Sequence, residues 1–287
     1  MKKTLFVLFC LPIIGFSQTY KNSIYNEDEV ELDEGTKQPM CNEVEGLQTA
    51  DALLIPSDYT GVIKECIDGK VIALANYERG YQNGLSRAWY ENGQLESEYN
   101  YSVFSDNYEA EEDNSELNGL SREWYEDGQL KSVENYEHGY QDGLTRLWYE
   151  NGQLKSEQEW TLVDTGNYGA DGPEYGFEGH SELSGLSREW YEDGQLKSEG
   201  NYNDDEFDGL EREWYENGQL KLEREWNWKF YDSNNDFGEE DTDGYSELNG
   251  LSREWYENGQ LESESNYKDG NLITKRCWDT NGNLIKC

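Results

Sequence analysis

The side chains that could do chemistry here are overwhelmingly carboxylates: 62 Asp and Glu against 23 Lys and Arg, with two histidines and five cysteines. Catalysis needs such groups in defined partnership, a nucleophile beside a base or a base beside an oxyanion donor. No nucleophile elbow, His-Glu-x-x-His pair, Gly-rich phosphate loop or Walker motif is present, and His138 and His180 lie far apart. With acids this dense any carboxylate pair is uninformative, so no enzymatic activity is expected. A metal reading has more to work with. Asp232, Asn234, Asp236, Glu239, Asp241 and Asp243 put oxygen ligands on alternate or nearby residues, yet Gly238 falls one place late for an EF-hand loop. A solvated charge run that protects an edge is the simpler account. No cofactor is therefore expected, and weak Ca2+ binding by the acidic loops stays open. The cysteines contain no C-x-x-C pair, which argues against zinc.

The chain opens with Met1, Lys2 and Lys3, an apolar run from Leu5 to Ile14, then Gly15, Phe16 and Ser17. That is the pattern of an export signal cut after Ser17. The run is too short to span a bilayer, and no later segment approaches the roughly 20 apolar residues a membrane helix needs. Cys10 lies within the run behind Phe9, which disfavours a lipoprotein signal. Removing two lysines leaves 21 bases against 62 acids, a formal charge of 21 − 62 = −41. Nucleic acid is excluded as a partner on that ground, and anionic lipid is disfavoured. Cations, basic proteins or neutral surfaces remain. Cys41, Cys66, Cys277 and Cys287 survive processing, and in an exported protein they suit two disulfides, one near each end, although four cysteines allow three connectivities.

What must position any site is a repeat. The unit G-L-S-R-E-W-Y-E-[ND]-G-Q-L recurs with its tryptophan at Trp89, Trp124, Trp148, Trp190, Trp214, Trp255 and, degenerately, Trp278, at steps of 35, 24, 42, 24, 41 and 23. Stepping back from Trp89 places an eroded eighth unit at Glu65, four residues before Gly69. Every unit centres on Asn-Gly or Asp-Gly: Asp68-Gly69, Asn92-Gly93, Asp127-Gly128, Asn151-Gly152, Asp193-Gly194, Asn217-Gly218, Asn258-Gly259 and Asn281-Gly282. Such dipeptides supply the two left-handed residues of a type I′ hairpin turn.

A two-residue turn at Asn92-Gly93 would pair Tyr90 with Leu95, Trp89 with Glu96 and Arg87 with Glu98. The same register opposes Arg146 to Glu157, Arg188 to Glu199, Arg212 to Glu223 and Arg253 to Glu264, leaving Arg122 opposite Val133. It sets Trp124, Trp148, Trp190 and Trp214 against Lys131, Lys155, Lys197 and Lys221, lysine stem on indole. One hairpin cannot bury its aromatics alone, so lateral stacking into one long antiparallel sheet is expected.

The G-L-S-R-E-W-Y-E-N-G-Q-L unit resembles the MORN-repeat variant of bacterial YwqK-type antitoxin proteins, over roughly residues 61 to 287. That resemblance implies one hairpin per repeat and, for some members, neutralisation of a partner toxin. The expected fold is all-β: an elongated single-sheet array of about eight tandem antiparallel hairpins with extended loops on alternate hairpins. The expected organisation is a signal peptide (1–17), an acidic and largely irregular leader (18–58) with an end cap from Ala52 to Ile55, and a repeat domain (59–287).

The long tryptophan steps hold insertions, opening E-Y-N-Y-S-V-F-S-D at Glu98, E-W-T-L-V-D at Glu159 and E-W-N-W-K-F-Y-D at Glu225. They recur at every second hairpin, which would set their tips roughly 20 Å apart along one edge. Tyr101, Phe104, Trp160, Trp226, Trp228 and Phe230 within them are the candidate partner-binding residues, as exposed anchors or as extensions of the aromatic packing. The functional expectation is a monomeric, exported, acidic, non-catalytic scaffold for protein–protein binding, its partner basic or a toxin. An antitoxin or immunity protein, and a calcium- or glycan-binding envelope protein, are the alternatives.

Overall fold

The computed structural model describes the side chains and backbone of residues 59–104, 115–165, 179–230 and 244–287, and the backbone alone of 21–25, 105, 113 and 114. Among these residues there is no helix, and the strands form one antiparallel sheet. The strands pair in chain order, Lys21–Tyr25 on Gly61–Ile67 at one end and Asn271–Trp278 on Leu284–Ile285 at the other. At ~4.8 Å per strand the array runs about 75 Å, the elongated shape expected of stacked hairpins. The leader contributes the Lys21–Tyr25 strand; Cys41 and the segment Ala52 to Ile55 lie outside the described residues.

All eight Asn/Asp-Gly pairs sit at hairpin turns, each glycine at positive φ. The turn type differs from expectation. In Tyr90–Gln94 the Tyr90 N–H donates to the Gln94 carbonyl and the Gly93 N–H to the Tyr90 carbonyl, both at 2.9 Å, and Gly93 alone is left-handed. That is a three-residue loop closed by a bulge, and it recurs in the six turns that follow. Asp68-Gly69 alone of the eight is a two-residue turn with both residues left-handed. Being one residue shorter, it puts Cys66 rather than Glu65 in the place of the tryptophan.

The longer loop moves Trp89 onto Leu95, and a second bulge then skips Glu96 so that Arg87 meets Glu98. Two offsets cancel. The expected Arg–Glu pairs therefore form, at 2.9 Å for Arg87–Glu98, 2.8 Å for Arg146–Glu157, 3.5 Å for Arg188–Glu199, 3.0 Å for Arg212–Glu223 and 3.1 Å for Arg253–Glu264. Arg122, opposite Val133, reaches back to Glu98 of the preceding hairpin at 3.0 Å. The tryptophan–lysine pairs do not form, because Trp124, Trp148, Trp190 and Trp214 face Leu130, Leu154, Leu196 and Leu220. The lysines are the skipped residues. Lys131, Lys197 and Lys221 bond Glu123, Glu189 and Glu213 at 2.7, 2.7 and 2.6 Å, and Lys155 lies over the Tyr149 ring.

Stacking is stitched at the turns. The hydroxyls of Tyr90, Tyr125, Tyr149, Tyr191, Tyr215 and Tyr256 each donate to the tryptophan carbonyl of the next hairpin, at 2.6 to 2.9 Å. An apolar core gathers at the N-terminal end, where Val62, Cys66, Val71, Leu74 and Ala88 are buried. Further along, the buried positions are mostly small hydroxyls, among them Ser121, Ser132, Ser156, Ser187, Ser252 and Ser263, all on the sheet face opposite the arginines. Cys277 is disulfide-bonded to Cys287; Cys66 is also bridged, to a partner outside the described residues.

Candidate partner-binding edge

The Asn/Asp-Gly turns occupy one edge of the sheet, and the other alternates two kinds of connection. Tight turns lie at Arg79-Gly80, His138-Gly139, Asp204-Asp205 and Asp269-Gly270, every one of these residues left-handed. Type I′ geometry is therefore the rule for the tight turns of this edge, and Asp68-Gly69 is its one instance among the eight Asn/Asp-Gly turns. Between the tight turns the three insertions leave the ladder, after Ser105, Asp164 and Phe230. Each later tight turn is tied to the base of the insertion before it: Gly139, Asp205 and Gly270 donate their N–H to the Leu117, Leu183 and Leu248 carbonyls at 2.9, 3.2 and 3.0 Å. Asp205 also accepts the Leu183 N–H at 2.7 Å, which gives a reason for a carboxylate where the other tight turns have glycine.

The six candidate residues divide. Tyr101, Trp160 and Trp226 stand directly opposite Gly84, Gly143 and Gly209. In the hairpins without insertions, Tyr136, Tyr202 and Tyr267 stand opposite Gly119, Gly185 and Gly250 in the same way. They are one row, an aromatic paired across the hairpin with a left-handed glycine at all six places. The signal was present in the sequence: each lies six residues after the leucine of G-Q-L.

Trp226 is the best anchored of the row. Its indole N–H donates to Glu211 at 2.8 Å and its ring stacks on Phe207, which in turn meets Tyr202 at 4.4 Å between centroids. Thr145 takes the place of Glu211 beside Trp160, and the Trp160 indole N–H is buried without a partner. Burial first, then the nearby Glu211, Glu189 and Glu213 carboxylates, push the Tyr202 hydroxyl up to about 12. Tyr202 of the row therefore has three carboxylates near it.

Phe104, Trp228 and Phe230 lie beyond the row. The Phe104 ring packs on His138 of the next tight turn at 4.3 Å. Trp228 lies across Gly244, where an added Cβ would run into its ring, and its backbone N–H donates to Asp208. Phe230 closes the strand and is 66% exposed. Sequence reasoning passed over Lys229, which bonds Glu247 and, at 3.0 Å, Asp269 of the following tight turn. Those two hydrogen bonds hold its ammonium well above the usual lysine range. No group of three or more His, Cys, Asp or Glu among the described residues is arranged to hold a metal, and the six candidate calcium ligands lie outside them.

Residues 82–102, 117–138, 141–161, 183–204, 207–227 and 248–269 match the family model of the MORN repeat variant. These six hairpins are MORN repeats. The MORN repeat is a non-catalytic scaffold, commonly a protein- or membrane-binding module. Tyr101, Trp160 and Trp226 fall inside matched repeats, whereas Phe104, Trp228 and Phe230 fall between them. The hairpins about Asp68-Gly69 and Asn281-Gly282 extend the ladder beyond the six matches. No curated protein matches the chain.

Proposed function

We propose that this chain is an exported, acidic, non-catalytic scaffold that binds a basic protein partner through its insertion edge. The observation that carries this is the division of the aromatics. Trp226 of the repeat row uses its ring in packing, whereas the extension of the same strand ends in the exposed Phe230, two residues past Trp228 and outside the repeats. A formal charge of −39 favours association with a basic surface, steered at long range and weakened by salt. The signal-like residues 1–17 and the disulfide-bonded Cys66, Cys277 and Cys287 support an oxidising, exported setting. A toxin would be one such basic partner, and the antitoxin reading rests on the resemblance alone. Calcium held by the acidic insertions would modulate the same edge.

The test is capture from the native envelope and secreted fractions by the chain lacking residues 1–17, with and without calcium chelation. Changing Trp228 and Phe230 together to Ser should abolish capture of a basic protein while the β circular dichroism persists. Capture unchanged in that variant would remove the insertion edge from consideration. Capture dependent on the repeat faces would point to a module used in another way.

A further inference from the structure

Five of the repeat turns carry Asn-Gly: Asn92-Gly93, Asn151-Gly152, Asn217-Gly218, Asn258-Gly259 and Asn281-Gly282. That dipeptide has an intrinsic reaction. The glycine nitrogen attacks the side-chain carbonyl carbon of asparagine, the bond from that carbon to the amide nitrogen breaks, and ammonia leaves with the proton given up by the attacking nitrogen. Water then opens the cyclic imide at either carbonyl, giving aspartate or its β-linked isomer. One water is consumed and one ammonia released. The side-chain amide must swing onto the glycine nitrogen, so anything that holds it elsewhere slows the reaction.

Four of the five amides are held at both ends. Oδ1 of Asn92, Asn151, Asn217 and Asn258 accepts the backbone N–H two residues on, at 2.8, 2.9, 2.9 and 3.0 Å. Nδ2 of the same residues donates to a loop carbonyl of the next hairpin, Glu126, Glu192, Glu257 and Thr280, at 2.7, 2.7, 2.8 and 3.0 Å. Asn281 has neither bond. The Asn283 N–H goes to Asp279 instead, at 2.8 Å, and no hairpin stands beside Asn281 among the described residues. Its side chain makes no hydrogen bond among them and is exposed. The backbone turn is otherwise the same, with the Gly282 N–H donating to Asp279 at 2.8 Å as Gly93 does to Tyr90. The five sites differ in what holds the side chain.

We infer that Asn281-Gly282 is the deamidation site of the repeat turns, and that hairpin stacking protects the other four. The aspartate product fits this turn, because Asp127 and Asp193 already occupy it and accept the Gln129 and Gln195 side-chain N–H groups, both at 2.8 Å. The β-linked product does not, since its extra backbone methylene would disrupt the turn inside the Cys277–Cys287 loop.

The full chain, aged at mildly alkaline pH and mapped by mass spectrometry after reduction, tests this. Asn281 should react roughly tenfold faster than each latched asparagine, the order expected when net hydrogen bonds must break first. In urea the five rates should converge. Asn281 reacting no faster than the latched four in the folded chain would overturn the inference. A lead that survives in urea would do the same, since neighbouring residues and not the fold would then set it.

Discussion

The two edges of this sheet are made by different rules. On the Asn/Asp-Gly edge, seven of the eight turns share one loop length, one bulge and one glycine geometry. The other edge alternates tight turns with insertions that differ in length and composition. Lateral bonding explains the contrast. Six tyrosine hydroxyls and four asparagine amides of the first edge reach the next hairpin's backbone, so each turn must match its neighbour. At the other edge one backbone bond from each later tight turn reaches the insertion base, and the inserted sequences differ from one another. Uniformity marks the turns that carry the stacking, and variety marks those that do not.

The largest expected effect separates ladder from insertion within one strand, Leu220–Phe230. Trp226→Ala removes a ring packed on Phe207 and an indole bonded to Glu211. It should cost roughly 3 kcal/mol in urea unfolding, the lower end for losing a packed Trp. Phe230→Ser, four residues on and largely exposed, should change stability by no more than about 0.5 kcal/mol. Equal costs at the two positions would erase the distinction between row and insertion.

Next come the turns of the uniform edge. Gly218 has φ +79°, and an alanine Cβ there would meet the Gln195 amide, so Gly218→Ala should cost about 1–2 kcal/mol in left-handed strain. Tyr191→Phe deletes only the 2.7 Å bond to the Trp214 carbonyl and should cost about 1 kcal/mol. If thermal melting ranks Tyr191→Phe as neutral, the hydroxyls decorate the stack without holding it.

The repeat and the Arg–Glu register were legible because both depend on spacing within one hairpin. Turn type was not, for a definite reason. A three-residue loop followed by a one-residue bulge restores the same pairing sum as a two-residue turn, so Arg87–Glu98 is predicted by both. Only the residues between the two offsets tell them apart, Trp89 on Leu95 rather than Glu96, and those contacts are made in three dimensions. The candidate site was half legible. Tyr101, Trp160 and Trp226 looked like insertion residues because they follow the same Glu as the inserted segments, yet their constant distance from the G-Q-L leucine already marked them as members of the row. Lys229 was missed because its partner Asp269 lies forty residues on, in the next tight turn.

The smallest effect concerns the two uniform-edge turns that carry aspartate among those with asparagine. The Gln129 and Gln195 backbone N–H groups, then their side-chain amides, hold the Asp127 and Asp193 carboxyls below their ordinary range. A carboxyl lowered by folding contributes stability that is fully present above its unfolded pKa, near 3.9, and is lost as pH falls through the lower folded value. Asparagine accepts the same backbone N–H without titrating, as Asn92, Asn151 and Asn217 do, and its Nδ2 can also reach the next hairpin. The double variant Asp127→Asn, Asp193→Asn should therefore match or slightly exceed the parent above about pH 5, and its lead should widen below about pH 4. Urea unfolding across that range, in enough salt to screen the two removed charges, is the measurement. A lead that narrows on acidification would mean that the aspartates do not anchor their turns in the ionised form, and the uniform edge would then owe its stability to the glycines and tyrosines.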